Sequence, residues 1–316
     1  SGGNYNVVVG DEAGTALTTG DSNVAIGFEA LKTEDAHGRN VAVGYQALED
    51  LNAGADAYNV AIGYNSGREI TTGIRNTLLG ANTGDGLTDA DFNTAVGYYS
   101  LEADTLGSKS TAVGYQTLAA QNFTSATDTF NVAVGFQAGN DITTGTSNTL
   151  IGSLAGDAIT TGGSNVAVGT SALSANTTAS YNTAVGHEAG HSQTTAGFNT
   201  FIGRLSGYTN TTGSQNTSVG VNSFRLNTTG QYNTVIGKSA LEANTTGNYN
   251  VALGHTALVS NTTASNNTAV GYQAGYTNVA AGAQVFVGYK AGYATTNGGG
   301  SSTFVGYEAG LSNTTG

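Results

Sequence analysis

The sequence predicts an all-β fold: a parallel β-solenoid, of the β-roll or β-helix kind, with about 18 coils and a 17-residue repeat. Three observations predict it. A glycine recurs at Gly10, Gly27, Gly44, Gly63, Gly80, Gly97, Gly114, Gly135, Gly152, Gly169, Gly186, Gly203, Gly220, Gly237, Gly254, Gly271, Gly288 and Gly306, in steps of 17 except for 19 before Gly63, 21 before Gly135 and 18 before Gly306. The residue before that glycine is Val, Ile or Leu in all 18 copies, and the residue four before it is Asn in 15 of them. A short fixed period marks a solenoid, because one coil cannot bury its apolar side until a neighbour stacks on it.

With the glycine as position 0, position −3 alternates between Val and Thr, as at Val41, Val60, Thr77 and Thr94. Residues two apart on a strand share a face, so positions −3 and −1 are expected to point into the coil. Their β-branched side chains suit a strand. Position −2 then faces outward, yet it too is small or apolar, as at Ala42, Ala95, Ala184, Phe201, Ala269 and Phe286. Such a stripe is too large to leave wet and predicts burial against another chain. A closed cyclic assembly, most simply a side-by-side homotrimer forming a rod, buries one stripe per chain.

The Asn column at −4 predicts an amide ladder along the stack. After the glycine the chain turns. Position +4 is Gly in 10 copies, Leu in 7 and Phe224 in one, a toggle between a tight bend and an apolar plug. Position +1 is aromatic in nine copies, among them Phe28, Tyr45, Tyr64, Tyr115, Tyr272 and Tyr289. That stripe predicts packing between chains or a sugar-binding face. The rest of each coil is Thr-Thr-Gly or a relative, a short strand and a return turn, as at Thr71-Thr72-Gly73 and Thr228-Thr229-Gly230. Extra residues fall between Leu51 and Tyr58, between Ala119 and Phe130, and around Asn297 to Ser301, and are expected to form exposed loops.

The unbroken period argues for one repetitive domain over residues 1–316, in phase with its own repeat at both ends, as expected either of a segment of a longer fibre or of subunits that stack end to end. There is no Cys, which excludes disulfides and thiolate metal sites. No apolar run is long enough to span a membrane, and no secretion signal opens the sequence. Residues 1–158 carry 18 acidic and 5 basic side chains, and residues 159–316 carry 3 and 4, within a net charge of −12. Such a surface repels phosphate backbones and argues against nucleic acid.

Chemical motifs are few. His187-Glu188-Ala189-Gly190-His191 matches a zinc-protease pattern that needs a helix, but it lies in bend and turn columns. Gly237-Lys238-Ser239 resembles the end of a phosphate loop, with Tyr232 where its first glycine belongs. Asp85, Asp89 and Asp91 form a local cluster expected to be a solvated loop rather than a calcium site. Asn176, Asn210, Asn227, Asn244 and Asn261 begin Asn-x-Thr triplets that glycosylation would use in a secreted protein. His37 and His255 read as isolated. No catalytic residue, metal ligand or cofactor site is assigned, and the chain is expected not to be an enzyme.

Asn23-Val24-Ala25-Ile26-Gly27 and Asn59-Val60-Ala61-Ile62-Gly63 resemble the head repeats of trimeric autotransporter adhesins. Asn267-Thr268-Ala269-Val270-Gly271-Tyr272-Gln273-Ala274-Gly275 is similar to repeats of phage tail fibres and secreted bacterial surface fibres. The first resemblance implies a left-handed parallel roll with three rolls side by side. Together they imply an extracellular, cell-surface or virion fibre that is structural or adhesive and contacts a host surface or surface glycan. The alternative is a ligand-binding module in which flat Thr, Asn and Tyr ranks recognise glycan or ice.

Overall fold

The structure, a computed structural model, describes residues 3–296 and 301–314. It is an all-β parallel solenoid with no helix among the described residues. The chain forms two compact units, Ser1–Gly162 and Gly163–Gly316. In the first, three-residue strands run Val7–Val9, Val24–Ile26, Val41–Val43, Val60–Ile62, Thr77–Leu79, Thr94–Val96, Thr111–Val113, Val132–Val134 and Thr149–Ile151. Each pairs in parallel with the next, so that Ala25 lies beside Ala42 and Ala42 beside Ala61. The second unit repeats the plan from Val166–Val168 to Thr303–Val305, with Ala167 beside Ala184 and Ala184 beside Phe201.

The strands face the opposite way from the sequence expectation. Position −2 points into the coil: Ala42, Ala95, Ala184, Phe201, Ala269 and Phe286 have no exposed surface within the single chain. Positions −1 and −3 point out, with Ile62, Ile151 and Ile236 at 40, 40 and 45% exposure. The column that seemed to need a sister chain is therefore the core, and the uniformly aliphatic column is the surface.

Volume explains the facing. Where position +4 is Leu, position −2 is Ala, as in Ala42 with Leu48 and Ala95 with Leu101, except for Val235 with Leu241. Where −2 is Leu or Phe, +4 is Gly, and Phe224 at +4 is matched by Ser218 at −2. Such compensation requires the two columns to fill one space at close-packed density. The side chains of single coils also reach into their neighbours: a Cβ on Gly190 or Gly207 would come within 2.9 or 2.5 Å of the Phe201 ring. Phe201 thus fills two coils whose own +4 positions are empty.

The anchor glycine is fixed by backbone geometry. Gly135 has φ +140° and Gly203 φ +127°, and a Cβ at either would meet the carbonyl oxygen of the next anchor, Gly152 or Gly220, at 2.5 Å. Only glycine accepts both the conformation and the approach. Other corners place non-glycine residues in the left-handed region, among them Arg39 (φ 65°), Gln46 (φ 52°) and Leu48 (φ 51°). Each costs roughly 1–2 kcal/mol that stacking must offset.

The expected Asn ladder is present. The backbone N–H of Asn59 donates to Oδ1 of Asn40 (3.1 Å) and that of Asn76 to Oδ1 of Asn59 (2.8 Å), while Nδ2 of Asn59 donates to the Gly73 carbonyl (2.8 Å). In the second unit Asn216 and Asn233 continue the pattern at 2.9 and 3.0 Å. The side chain thus binds its own return turn and the next strand at once, satisfying buried backbone groups that a three-residue strand leaves over.

Of the three insertions, residues 52–57 follow the loop expectation and are mostly exposed. The second departs from it. Thr127–Asp128 pairs in parallel with Gly107–Ser108 as a small accessory sheet, and Phe123 tucks in at 6% exposure. Residues 297–300 of the third lie outside the described residues.

Candidate functional site

No cavity opens among the described residues. The aromatic +1 column borders the outward strand face. Within it Phe28, Tyr45 and Tyr64 stack with centroids 5.1 and 5.0 Å apart, and His255, Tyr272 and Tyr289 at 5.5 and 5.3 Å. Rings in the middle of such a stack have both faces against a neighbouring ring, which leaves their edges for a partner and removes the flat platform a sugar ring uses. The aliphatic −1 rank and these ring edges together make an apolar surface along each unit.

A second aromatic column escaped the sequence reading, at position −5, just before the ladder Asn. In the first unit it alternates cation and ring: Arg39 lies over Tyr58 (5.3 Å), Arg75 over Phe92 (5.2 Å) and Lys109 over Phe130 (5.5 Å). In the second it holds stacked pairs, Tyr181 with Phe198 (5.1 Å) and Tyr232 with Tyr249 (4.9 Å). The signal was present at the 17-residue spacing but spread over unlike residue types, which hid it.

The two threonines of each return turn behave differently. The first spends its hydroxyl on the next coil: Thr211 donates to the Thr228 carbonyl and Thr228 to that of Thr245, both at 3.0 Å. The second stays exposed, so the second unit displays Thr178, Thr195, Thr212, Thr229, Thr246 and Thr263 as one rank.

The glycosylation triplets are closed off. Asn176, Asn210, Asn227, Asn244 and Asn261 point into the coil at 0% exposure. Asn210, Asn227, Asn244 and Asn261 form a second ladder, in which Nδ2 of Asn227, Asn244 and Asn261 donates to the Oδ1 one coil back at 2.6, 2.8 and 3.0 Å. Attaching a glycan there would require unfolding.

The remaining motifs resolve individually. The segment from His187 to His191 is turn, with His187 outward and the His191 ring stacked on Tyr208 at 5.0 Å. Gly237-Lys238-Ser239 leads from a strand into a turn without a helix, and Lys238 is exposed. The Asp85 cluster lies outside the strands, with Asp85 in a turn and Asp89, exposed, in a bend. Asp85 pairs with Arg68 (3.2 Å), Asp89 accepts from the Thr72 hydroxyl (2.6 Å) and Asp91 from the Ile74 N–H (2.8 Å), so each binds the preceding coil.

Two acids occupy the interior at position +7. Burial pushes the carboxyls of Glu34 and Asp104 above the usual range, against hydrogen bonds that favour the charged form. Each lies one coil before an insertion. Asp104 accepts from the N–H groups of Gly107 (3.1 Å) and Phe123 (3.2 Å) and from Nε2 of Gln121 (2.6 Å), the acceptors that an interrupted return turn needs. Glu34 accepts from the His37 N–H at 3.1 Å, and His37 Nδ1 stands 3.7 Å from the same oxygen, Oε1. His37 is therefore not isolated: with Glu34 and Asp35 it presents three ligand-type atoms within 4.8 Å of one another. Compared with models of known families and with curated proteins, the chain matches none.

Proposed function

We propose that this chain is a non-catalytic structural and adhesive fibre segment, displayed outside a cell or on a virion, whose solenoids assemble side by side as a homotrimer. The observation that carries this reading is the outward strand face. Val, Ile or Leu occupies position −1 in every coil, bordered by the aromatic +1 column, and none of these −1 side chains is buried in the single chain. A continuous apolar rank of this kind is kept dry by a partner, and a cyclic arrangement satisfies one rank per chain without leaving an open edge. The role is mechanical. Stacked backbone bonds and amide ladders stiffen a support that holds an adhesive element away from a surface. No helix of the described residues is long and apolar enough to cross a membrane. Negative charge in the first unit disfavours nucleic acid, and the partners in this reading are sister chains and a host or glycan surface.

Sedimentation equilibrium tests it. The expected mass is three times the 31.6 kDa of the chain, falling to one chain when Ile62, Ile151 and Ile236 are replaced by Lys. A wild-type protein that stays at one chain's mass at high concentration overturns it.

The exposed Thr rank of the second unit favours a second reading, recognition of glycan or ice by repeated hydroxyl and methyl groups. Replacing Thr195, Thr212 and Thr229 by Val, then measuring glycan binding and ice-growth inhibition, decides it. Unchanged behaviour removes this reading.

A further inference from the structure

We propose that Glu34, Asp35 and His37 form a binding site for a divalent transition-metal ion of the zinc class. The starting point is an anomaly in the +7 column. In the first unit that inward position is otherwise held by Leu17, Leu51, Ile70, Leu87, Ile142 and Ile159, by Gln121, and by two acids. Asp104 has donors on both carboxylate oxygens. Glu34, with no exposed surface, accepts the His37 N–H on Oε1, and the Ala53 N–H also favours its carboxylate. Its Oε2 is buried with no hydrogen-bond partner. A buried carboxylate oxygen without a donor is costly and calls for a proton or a cation.

The neighbouring group points to a cation. His37 Nδ1 is also buried and without a hydrogen-bond partner, and it faces the same carboxylate. Asp35 adds a carboxylate oxygen, and all three ligand atoms lie within 4.8 Å of one another, close enough to converge on one ion. Asp35 and the His37 ring are half-exposed, which gives an approach for the ion and for water as a fourth ligand. One imidazole nitrogen with two carboxylate oxygens suits zinc, whose sites take four nitrogen, oxygen or sulfur ligands. It is poor for calcium, which takes six to eight oxygens. Binding would lock the turn beneath the inserted residues 52–57, whose Ala53 N–H also favours the Glu34 carboxylate.

The full chain is titrated with zinc chloride by calorimetry, in parallel with His37→Ala and Glu34→Leu. The leucine restores the side chain that this column carries at positions 17, 51 and 87, which keeps the fold. We expect one zinc per chain, binding weakened about 10- to 100-fold or more in both variants, and a melting rise of roughly 5 °C for wild type at saturating zinc. Glu34→Leu should melt at or above the metal-free wild type. Cobalt should give the visible absorption of a four-coordinate site. No zinc binding, zinc binding unaffected by His37→Ala, or tighter binding of calcium than of zinc would each overturn the proposal.

Discussion

The two units solve one interior position differently. At position +7 the first unit is mainly aliphatic, with Leu51, Ile70, Leu87 and Ile142 plugging the coil, whereas the second is a column of amides from Asn210 through Asn261. An aliphatic plug stabilises by leaving water and tolerates neighbours of any kind. An amide bonds its own return turn and, from Asn210 to Asn261, the amide one coil away, and that second bond needs regular spacing. The first unit accordingly holds the two described insertions and two buried acids that serve them, and the second keeps a strict 17-residue step from Gly169 to Gly288. The difference teaches that a solenoid interior can be built from apolar volume or from a polar ladder.

What the units share should be broken with the largest effect. Gly135→Ala and Gly203→Ala each impose a forbidden conformation and a backbone clash. Each is expected to lose on the order of 4 kcal/mol, read by chemical denaturation, and equally in both units. The interior swap sharpens the contrast. Leu87→Asn puts an amide in the first unit with aliphatic Ile70 at the same position one coil back, for a loss of about 3 kcal/mol. Asn227→Leu leaves the Asn210 and Asn244 partners unmatched, for a loss of about 2 kcal/mol. If Asn227→Leu proves stabilising, the ladder is not what holds the second unit.

Acidity separates the units further. Burial raises the carboxyls of Glu34, Glu49, Asp85, Glu102 and Asp104, all in the first unit. A raised folded-state value means that stability is fully present below the ordinary carboxylate range and is lost as pH rises through the folded value. Hydrogen exchange should therefore show the first unit losing protection as pH rises from below the ordinary carboxylate range to neutrality, with the second unit nearly unchanged. The smallest effect is expected at the −5 column. Arg75→Ala removes a cation from the Phe92 ring and should cost about 0.5–1 kcal/mol in the first unit, with no equivalent in the stacked pairs of the second.

Much of the architecture was legible in the sequence: the coil number, the positions of the three-residue strands, the Asn ladder and the +4 toggle follow from column statistics, whereas the second short strand expected at Thr71-Thr72 and Thr228-Thr229 is a bend, its hydroxyls and backbone bonding the next coil without forming a ladder. The facing was not, because a uniformly aliphatic column does not by itself distinguish the interior from an outward strand face. An outward face that needs β-branched residues for strand formation, and that we propose meets a partner, is just as uniform. The correct clue was covariation in volume, Ala42 with Leu48 against Phe201 with Gly207, since only side chains that share a space must compensate. The Glu34–His37 contact was missed for a different reason. Three residues apart in a turn, the pair carries no repeat signal, and its meaning comes from the buried column that Glu34 occupies.

The central claim is the facing of the strands, and adjacent thiols test it in a chain that has no cysteine of its own. Ala184→Cys and Val185→Cys are made separately and treated with a maleimide and with an oxidant. The account predicts that the thiol at position 184 stays unlabelled until the chain unfolds, while the thiol at 185 is labelled in separated chains and forms interchain disulfides in assembled ones. Labelling at 184 with protection at 185 within an isolated chain would contradict it.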